Sequence, residues 1–244
     1  MQVAVISDIH GNAYALDLVL KELQRNPVNR VICLGDTIQG GAQPAETVEA
    51  LRRLACPIVM GNADAWLLSQ EADTKEPTSS QQKDVRLWTL SKLSSSDLDF
   101  IRSYSPTISV ELGPGRELLG FHGSPASFDD VLLPTTPDET WETLLGGHRQ
   151  VLCGGHTHTQ QLRRVGRTFF FNPGSVGLAH DIRLPKERFH ADPWAEYAVL
   201  AVDGEKVGVD FRRVPYELEE MLAIVKASGR PHYDRLVEDY RPHN

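Results

Sequence analysis

Val3-Ala4-Val5-Ile6-Ser7-Asp8-Ile9-His10-Gly11-Asn12 is the stretch on which the reading of the whole chain turns. A short apolar, β-branched run bounded by polar residues and glycine predicts a buried strand. Asp8 and His10 then emerge where that strand ends. Residues two apart in an extended segment point the same way, so both side chains can reach one cation before the chain turns at Gly11. A carboxylate oxygen with an imidazole nitrogen suits Zn, Mn, Fe or Co better than Ca or Mg. On its own the pair reads more readily as an Asp capping the next helix and a His on a loop.

Working outward, Asn12 is placed to cap a helix with apolar positions Leu16, Val19, Leu20 and Leu23, ended by Asn26-Pro27. A second strand over 30–34 delivers Gly35-Asp36. Strand, helix, strand is the unit of a parallel sheet. Pro44, Val48, Leu51 and Leu54 predict another helix, and Pro57 to Met60 a third strand ending in Gly61-Asn62. Three consecutive predicted strands thus end in Asp-x-His, Gly-Asp and Gly-Asn. Ligands collect at the carboxyl ends of strands in such sheets, and Gly35 and Gly61 would let backbone approach a bound ion or phosphate. Asp36 as a turn residue and Asn62 in a left-handed conformation are adequate readings singly, but less so at three equivalent places.

Residues 66–106 turn polar and helical, with a linker-like stretch over 72–80 and a capping box expected from Ser96 and Asp99. This excursion should pack over an edge of the sheet, near the mouth of the site. Strands resume at 108–112 and 117–121, the latter bringing His122-Gly123. Thr136, Pro137 and Glu139 supply an N-cap, an N1 proline and an N3 carboxylate for a short helix through Leu145. Val151 to Cys153 then ends in Gly154-Gly155-His156-Thr157-His158, two imidazoles two residues apart at a strand end and a strong local signal for metal. Further strands are expected at 168–171, 197–202 and 207–214, and a helix with Met221, Leu222 and Val225 on one face. The polar, aromatic tail 230–244 has no assignable role.

Composition limits the alternatives. The chain has 244 residues, 41% hydrophobic and 24% charged, a range that fits one soluble domain over 1–244. A formal net charge of −8 argues against nucleic acid as the main partner, since neutralising phosphates takes clustered Lys and Arg. Arg163-Arg164 and Arg212-Arg213 read as solvated strand ends. No apolar run approaches the ~18 residues needed to cross a bilayer, and the N-terminus lacks the pattern of a signal peptide, so a cytoplasmic protein without a membrane partner is expected. Cys33, Cys56 and Cys153 are an odd set in or beside apolar stretches and read as small core residues.

Asp8-x-His10, Gly35-Asp36, Gly61-Asn62, His122-Gly123 and Gly155-His156-Thr157-His158 together resemble the calcineurin-like metallophosphoesterases, in their bacterial and archaeal single-domain branch. Order and spacing match in all five motifs, and the likeness continues through Asn172-Pro173-Gly174-Ser175-Val176-Gly177 and 211–216. It implies an α/β fold of two mixed β-sheets packed as a sandwich and flanked by helices. It also implies two divalent transition-metal ions, drawn from Mn, Fe, Zn, Co or Ni. Asp8, His10, Asp36 and His158 would hold one, and Asp36, Asn62, His122 and His156 the other, with Asp36 bridging. A metal-bridging hydroxide would attack the phosphorus of a small-molecule phosphate ester.

One departure stands out. Phosphomonoesterases and protein phosphatases of the family generally carry His straight after Gly-Asn; this chain has Ala63, like members that tend to hydrolyse phosphodiesters. Asp64 is read as a partner orienting a ligand rather than a substitute acid. Asn12, His180 and Arg183 are candidate substrate contacts, the last two from a loop, 179–194, that also carries Lys186, Arg188 and His190. A phosphomonoesterase or nucleotide pyrophosphatase, and a protein-binding scaffold such as the member of this fold in the retromer complex, are the alternatives. The sequence sets no oligomeric state.

Overall fold

A computed structural model describes residues 1–69, 79–145, 151–166, 168–183 and 189–241. Strands β1 (Gln2–Ile6) and β2 (Arg30–Cys33) are parallel and joined through helix α1 (Ala13–Arg25). β8 (Trp194–Asp203) lies antiparallel to β1, and β9 (Lys206–Pro215) antiparallel to β8, giving a four-stranded mixed sheet in the order β2-β1-β8-β9. The second sheet has five strands, β3 (Ile108–Gly113), β4 (Arg116–Gly120), β5 (Val151–Cys153), β6 (Gln161–Val165) and β7 (Thr168–Asn172), in the order β3-β4-β5-β7-β6. β6 was not separately anticipated; its Arg163 and Arg164 pair opposite Phe170 and Phe169.

The alternation along β1 explains why its run is apolar throughout. Val3 and Val5 face the inter-sheet core with Val110, Leu118, Val151 and Phe171, whereas Ala4 and Ile6 face a second core under the helices. Leu16, Val19 and Leu23 of α1, Val48 and Leu51 of α2 (Pro44–Leu54) and Met221 and Val225 of α7 (Leu218–Ser228) cover that outer face. Trp141 of α6 (Asp138–Leu144) packs with Phe121, Leu152 and Phe170 on the other side. The layers are therefore helix, sheet, sheet, helix, as the motifs implied. Cys33 and Cys153 are buried core residues, while Cys56 is half-buried.

Some local expectations need correction. The run 57–60 is no sheet strand but a pair of bridges, Ile58 beside Cys33 and Val59 beside Ser105. Pro57 has no amide proton to extend the ladder, and the chain must leave at Gly61 to reach the Asp36 loop. The capping box of α5 (Ser95–Arg102) uses Ser94 and Asp97, not Ser96 and Asp99. The same spacing occurs twice there, and Arg52 selects the earlier copy by binding Asp97 at 3.0 Å and the Ser96 carbonyl at 2.6 Å. Pro137, not Thr136, precedes α6, and the Thr136 hydroxyl instead accepts from the Leu133 amide at 3.0 Å. Of the expected linker, Ser79 and Ser80 cap and open α4 (Ser80–Lys92); 70–78 lie outside the described residues.

Candidate metal centre

Loops from the two sheets meet at the carboxyl ends of β1, β2, β4 and β5. Asp8, His10, Asp36, His156 and His158 all have positive φ, between 48° and 69°. This region is uncommon for residues with a Cβ, and each instance costs on the order of 1–3 kcal/mol. Only two other described non-glycine residues, Ala55 and His232, share it, both at helix ends. Backbone strain is thus concentrated at these loops.

Two groups of donors result. Asp8, His10 and His158 form one, Asp36, His122 and His156 the other, with the donor atoms of each within 4.8 Å of one another. Asp36 faces both, its Oδ2 lying 3.9 Å from His10 Nε2 and 3.4 Å from His122 Nε2. Asn62 joins the second group, its Oδ1 standing 2.9 Å from His122 Nε2 and 3.0 Å from His156 Nδ1.

Backbone carbonyls set the tautomers. Nδ1 of His10, His122 and His158 lies 2.7, 2.7 and 2.8 Å from the carbonyls of Gln39, Leu34 and Leu178. A carbonyl only accepts, so these nitrogens donate, and in a neutral ring Nε2 carries a lone pair. His10 Nε2 and His158 Nε2 nevertheless stand 2.9 Å apart. Asp8 Oδ1, buried and without a hydrogen-bond partner among the described residues, lies 3.3 Å from His158 Nε2. Three acceptors converging on one point repel unless a proton or cation sits among them.

The titrations follow. Burial opposes charge on His122, but Asp36 outweighs it and raises the imidazole to about 9. His158 is likewise raised, Asp8 overcoming desolvation, while burial and the neighbouring His158 lower His10. Burial would lift the Asp36 carboxyl; His122, His10 and His156 hold it far below the usual range.

Close approach between loops fixes the carboxylates. A Cβ on Gly61 would stand 2.1 Å from Asp36 Oδ1, the oxygen that accepts from the Ala63 amide at 2.8 Å. Gly35, at φ +97°, packs against the same loop, 2.7 Å from the Gly61 amide nitrogen if given a Cβ. These glycines allow the close loop-to-loop contact. Asp64 is buried and accepts from the amides of Thr37 and Ile38 at 3.0 and 3.2 Å and from the Thr37 hydroxyl at 3.1 Å. It holds the segment that follows Asp36. Burial and the nearby Asp36 raise its carboxyl to about 7.

The expected substrate contacts fare differently. Asn12 caps α1, its Oδ1 accepting from the Ala15 amide at 3.0 Å and its Nδ2 donating to the Gly177 carbonyl at 3.2 Å. His180 packs against His158, ring centroids 4.8 Å apart, with its pKa lowered to about 4 by burial and by that neighbour. Arg183 is exposed and turned onto Asp181 of its own loop at 2.6 and 2.8 Å, so the structure does not bring its guanidinium to the donor groups. Lys186 and Arg188 lie outside the described residues.

A cavity of about 490 Å³ opens over His10, Asn62, Ala63 and His156. Its walls come from residues the motifs gave no hint of: Trp66 on α3 (Asn62–Leu68), Gln81 at the start of α4, and Arg230, His232 and Arg235 in and before α8 (Tyr233–Asp239). His232 ties α8 to α4 through Asp84 at 2.9 Å, and Arg230 donates to the Gly40 carbonyl at 2.6 Å. The stretch of the polar tail from Arg230 to Asp239 is therefore part of the mouth.

The fold and the two donor groups define a class. Residues 1–205 match the model of the calcineurin-like phosphoesterase superfamily domain, and the chain belongs to that family. It is 30% identical over 191 residues, 73% of this chain and 77% of the other, to the uncharacterized protein MJ0912 of Methanocaldococcus jannaschii. Its fold is similar to that of the hypothetical protein PH1004 from Pyrococcus horikoshii OT3, with TM-score 0.80, 22% identity and coverage of 100% and 99% of the two chains. A metallophosphoesterase from Sphaerobacter thermophilus has TM-score 0.71, 23% identity and 98% coverage of each chain. Among the described residues no helix is long and apolar enough to cross a membrane.

Proposed function

We propose that the chain is a divalent metal-dependent hydrolase of phosphoric esters that favours diesters. The observation that carries the metal requirement is the 2.9 Å approach of His10 Nε2 to His158 Nε2, both rings donating through Nδ1, beside Asp8 Oδ1, which has no hydrogen-bond partner among the described residues. Mixed nitrogen and oxygen donors fit Zn, Mn, Fe, Co or Ni. Asp8, His10, Asp36 and His158 would hold one ion, and Asp36, Asn62, His122 and His156 the other. When bound, such ions act as Lewis acids toward phosphoryl oxygens and bring the pKa of water from about 15.7 toward 7.

The chain's own residues supply the rest. The Gln39, Leu34 and Leu178 carbonyls hold three imidazoles with Nε2 toward the centre, which keeps them ready as ligands. Asp36 Oδ1 is anchored by the Ala63 amide, leaving Oδ2 between the two groups. Ala63 lines the cavity beside Asn62, so that spot offers neither a proton for a leaving oxygen nor a positive charge for a phosphoryl dianion. Both lacks penalise a dianionic monoester with a basic leaving group more than a monoanionic diester.

The test is a series of aryl monoesters and diesters of graded leaving-group pKa on wild type and Ala63→His. The variant should flatten the leaving-group dependence and move the kcat/KM ratio toward monoesters by about 100-fold when the imidazole is well placed. An unchanged ratio in a variant that binds both metals contradicts the role given to Ala63.

A further inference from the structure

The donor group of Asp8, His10 and His158 joins two sheets, Asp8 and His10 following β1 and His158 following β5. The Nε2 atoms of His10 and His158 stand 2.9 Å apart with a lone pair on each, so in metal-free protein they repel and the loops that carry them must be held together. The segment 173–178, which leaves β7, touches both loops.

On one side the Val176 and Gly177 amides donate to the Ser7 and Asp8 carbonyls at 2.9 and 3.0 Å. On the other the Leu178 carbonyl accepts from His158 Nδ1 at 2.8 Å. Ser175 links the two. Its hydroxyl, in a residue that is fully buried, donates to the Asp8 carbonyl at 2.7 Å and accepts from the Leu178 amide at 2.8 Å. One oxygen thus ties the backbone of Asp8 to the residue that aims His158. The other donor group is supported from elsewhere, the Leu34 carbonyl aiming His122 and the Ala63 amide holding Asp36 Oδ1. Asn172 marks the boundary, its Nδ2 donating to the Gly155 carbonyl at 2.6 Å and to Thr157 Oγ1 at 3.0 Å, between His156 and His158.

The segment has its own brace. Glu196 of β8 is buried, and its amide donates to the Ser175 carbonyl at 2.9 Å. Gly174 lies so close to the Glu196 carboxylate that a Cβ would meet Oε2 at 2.1 Å. Oε1 accepts from Trp194 Nε1 at 3.1 Å and from Arg213 Nε at 2.9 Å, and the Arg213 guanidinium covers the Trp194 ring, its Cζ 4.9 Å from the centroid. Arg213 stands on β9, beyond the residues 1–205 that match the family model. A buried carboxylate that loses its cation is left uncompensated, so the state of this pair is felt at Gly174 and Ser175.

We propose that Ser175 is a positioning residue for the cation site of Asp8, His10 and His158, setting the affinity of that site and not of its neighbour, with Glu196 and Arg213 bracing its segment. This deepens the hydrolase reading and rests on its two-ion assignment. Without the hydroxyl, Leu178 is no longer tied to Asp8 and the two imidazoles relax apart. An ion must then draw them back together, a reorganisation that a preorganised site avoids.

The experiment titrates Mn²⁺ into metal-free protein by calorimetry and follows Co²⁺ binding by visible absorption, which reports ligand geometry. Ser175→Ala should weaken one of two ions by about 10- to 100-fold, the usual loss for a partner that orients a ligand, and leave the other nearly unchanged. Arg213→Ala should weaken the same ion by less, and Arg213→Lys should keep most of the affinity. Because Arg213 is exposed, its variants carry the test where Ser175→Ala does not fold. In a His158→Ala background, which lacks that ion, adding Ser175→Ala should leave the remaining ion as it was. Ser124→Ala removes a hydroxyl that donates to Asp130 at 2.6 Å in the loop after His122, and should spare the Asp8 site. Equal weakening of both ions in folded Ser175→Ala or Arg213→Ala, two unchanged affinities, or a further loss in the His158→Ala background overturns the proposal and leaves the hydrolase reading standing. Fewer than two ions in wild type overturns both. Selective loss of one ion, in a protein that turns over no phosphoric ester, supports the positioning role and refutes the hydrolase reading instead.

Discussion

The floor and the rim of the site are built on different principles. The floor is local and strained. Five of its residues sit at positive φ, its carboxylates are pinned by backbone amides and by glycines that nothing larger could replace, and its imidazoles are aimed by carbonyls. The rim is assembled from distant helices, α3, α4 and α8, held by single contacts such as His232 with Asp84 and Arg230 with the Gly40 carbonyl. Chemistry would dictate the floor under the proposed function, since few side chains could take the place of Asp36 between the two donor groups. The rim answers only to the shape of what enters, so it can be built from many sequences.

Changes in the floor should therefore be far more costly than changes in the rim. The largest effect is expected for Asp36→Asn, which weakens both donor groups at once. Loss of partners that merely orient ligands typically costs 10- to 100-fold, so a fall in kcat/KM of more than about 100-fold is expected here, with loss of metal. Near-normal turnover with full metal content would show that Asp36 is not shared.

The same contrast can be read in stability. In the metal-free protein His122 titrates near 9 against an ordinary 6.5. A histidine whose folded pKa is raised contributes stability that is fully present below pH 6.5 and is lost as pH rises through about 9. The Tm of metal-free protein should fall across that window, less so in His122→Asn, and metal should remove the slope because a ligated imidazole no longer titrates. A flat metal-free profile would contradict the His122–Asp36 pairing.

Asp64→Ala probes the support beneath the floor. It strips the acceptors from the Thr37 and Ile38 amides, and about a tenfold loss of activity or metal affinity is expected. At the small end is Arg183→Ala: the side chain is exposed and occupied by Asp181, so kcat/KM should stay within about twofold. A tenfold loss there would restore Arg183 as a substrate contact.

The same division explains what was legible in the sequence. Val3 to Ile6 announces a strand buried on both faces, and motifs after strands put polar residues where loops from neighbouring strands converge, so sheets and helices follow largely from local pattern, while the full donor set came from the family resemblance. Residues 57–60 carried the same apolar signal, but Pro57 and the exit at Gly61 reduced the strand to two bridges. Ser94 and Ser96 present identical caps, and contacts outside the motif separate them, Arg52 on Asp97 and Arg102 on Asp99. Arg230 and His232 carry no motif, because what brings them to the site is contact with distant parts of the chain, Arg230 with the Gly40 carbonyl and His232 with Asp84, and not their sequence neighbours. Arg183 looked suited to phosphate by its chemistry alone and is held elsewhere by an acid two residues away.

Under the proposed function two donor groups sharing Asp36 hold two cations. Counting metal on purified protein, by plasma mass spectrometry after loading with Mn or Zn and removal of excess, tests it most directly. Wild type should hold two ions per chain, His158→Ala about one, and Asp36→Asn fewer than one. One ion or none in folded wild type, or two in Asp36→Asn, would contradict it.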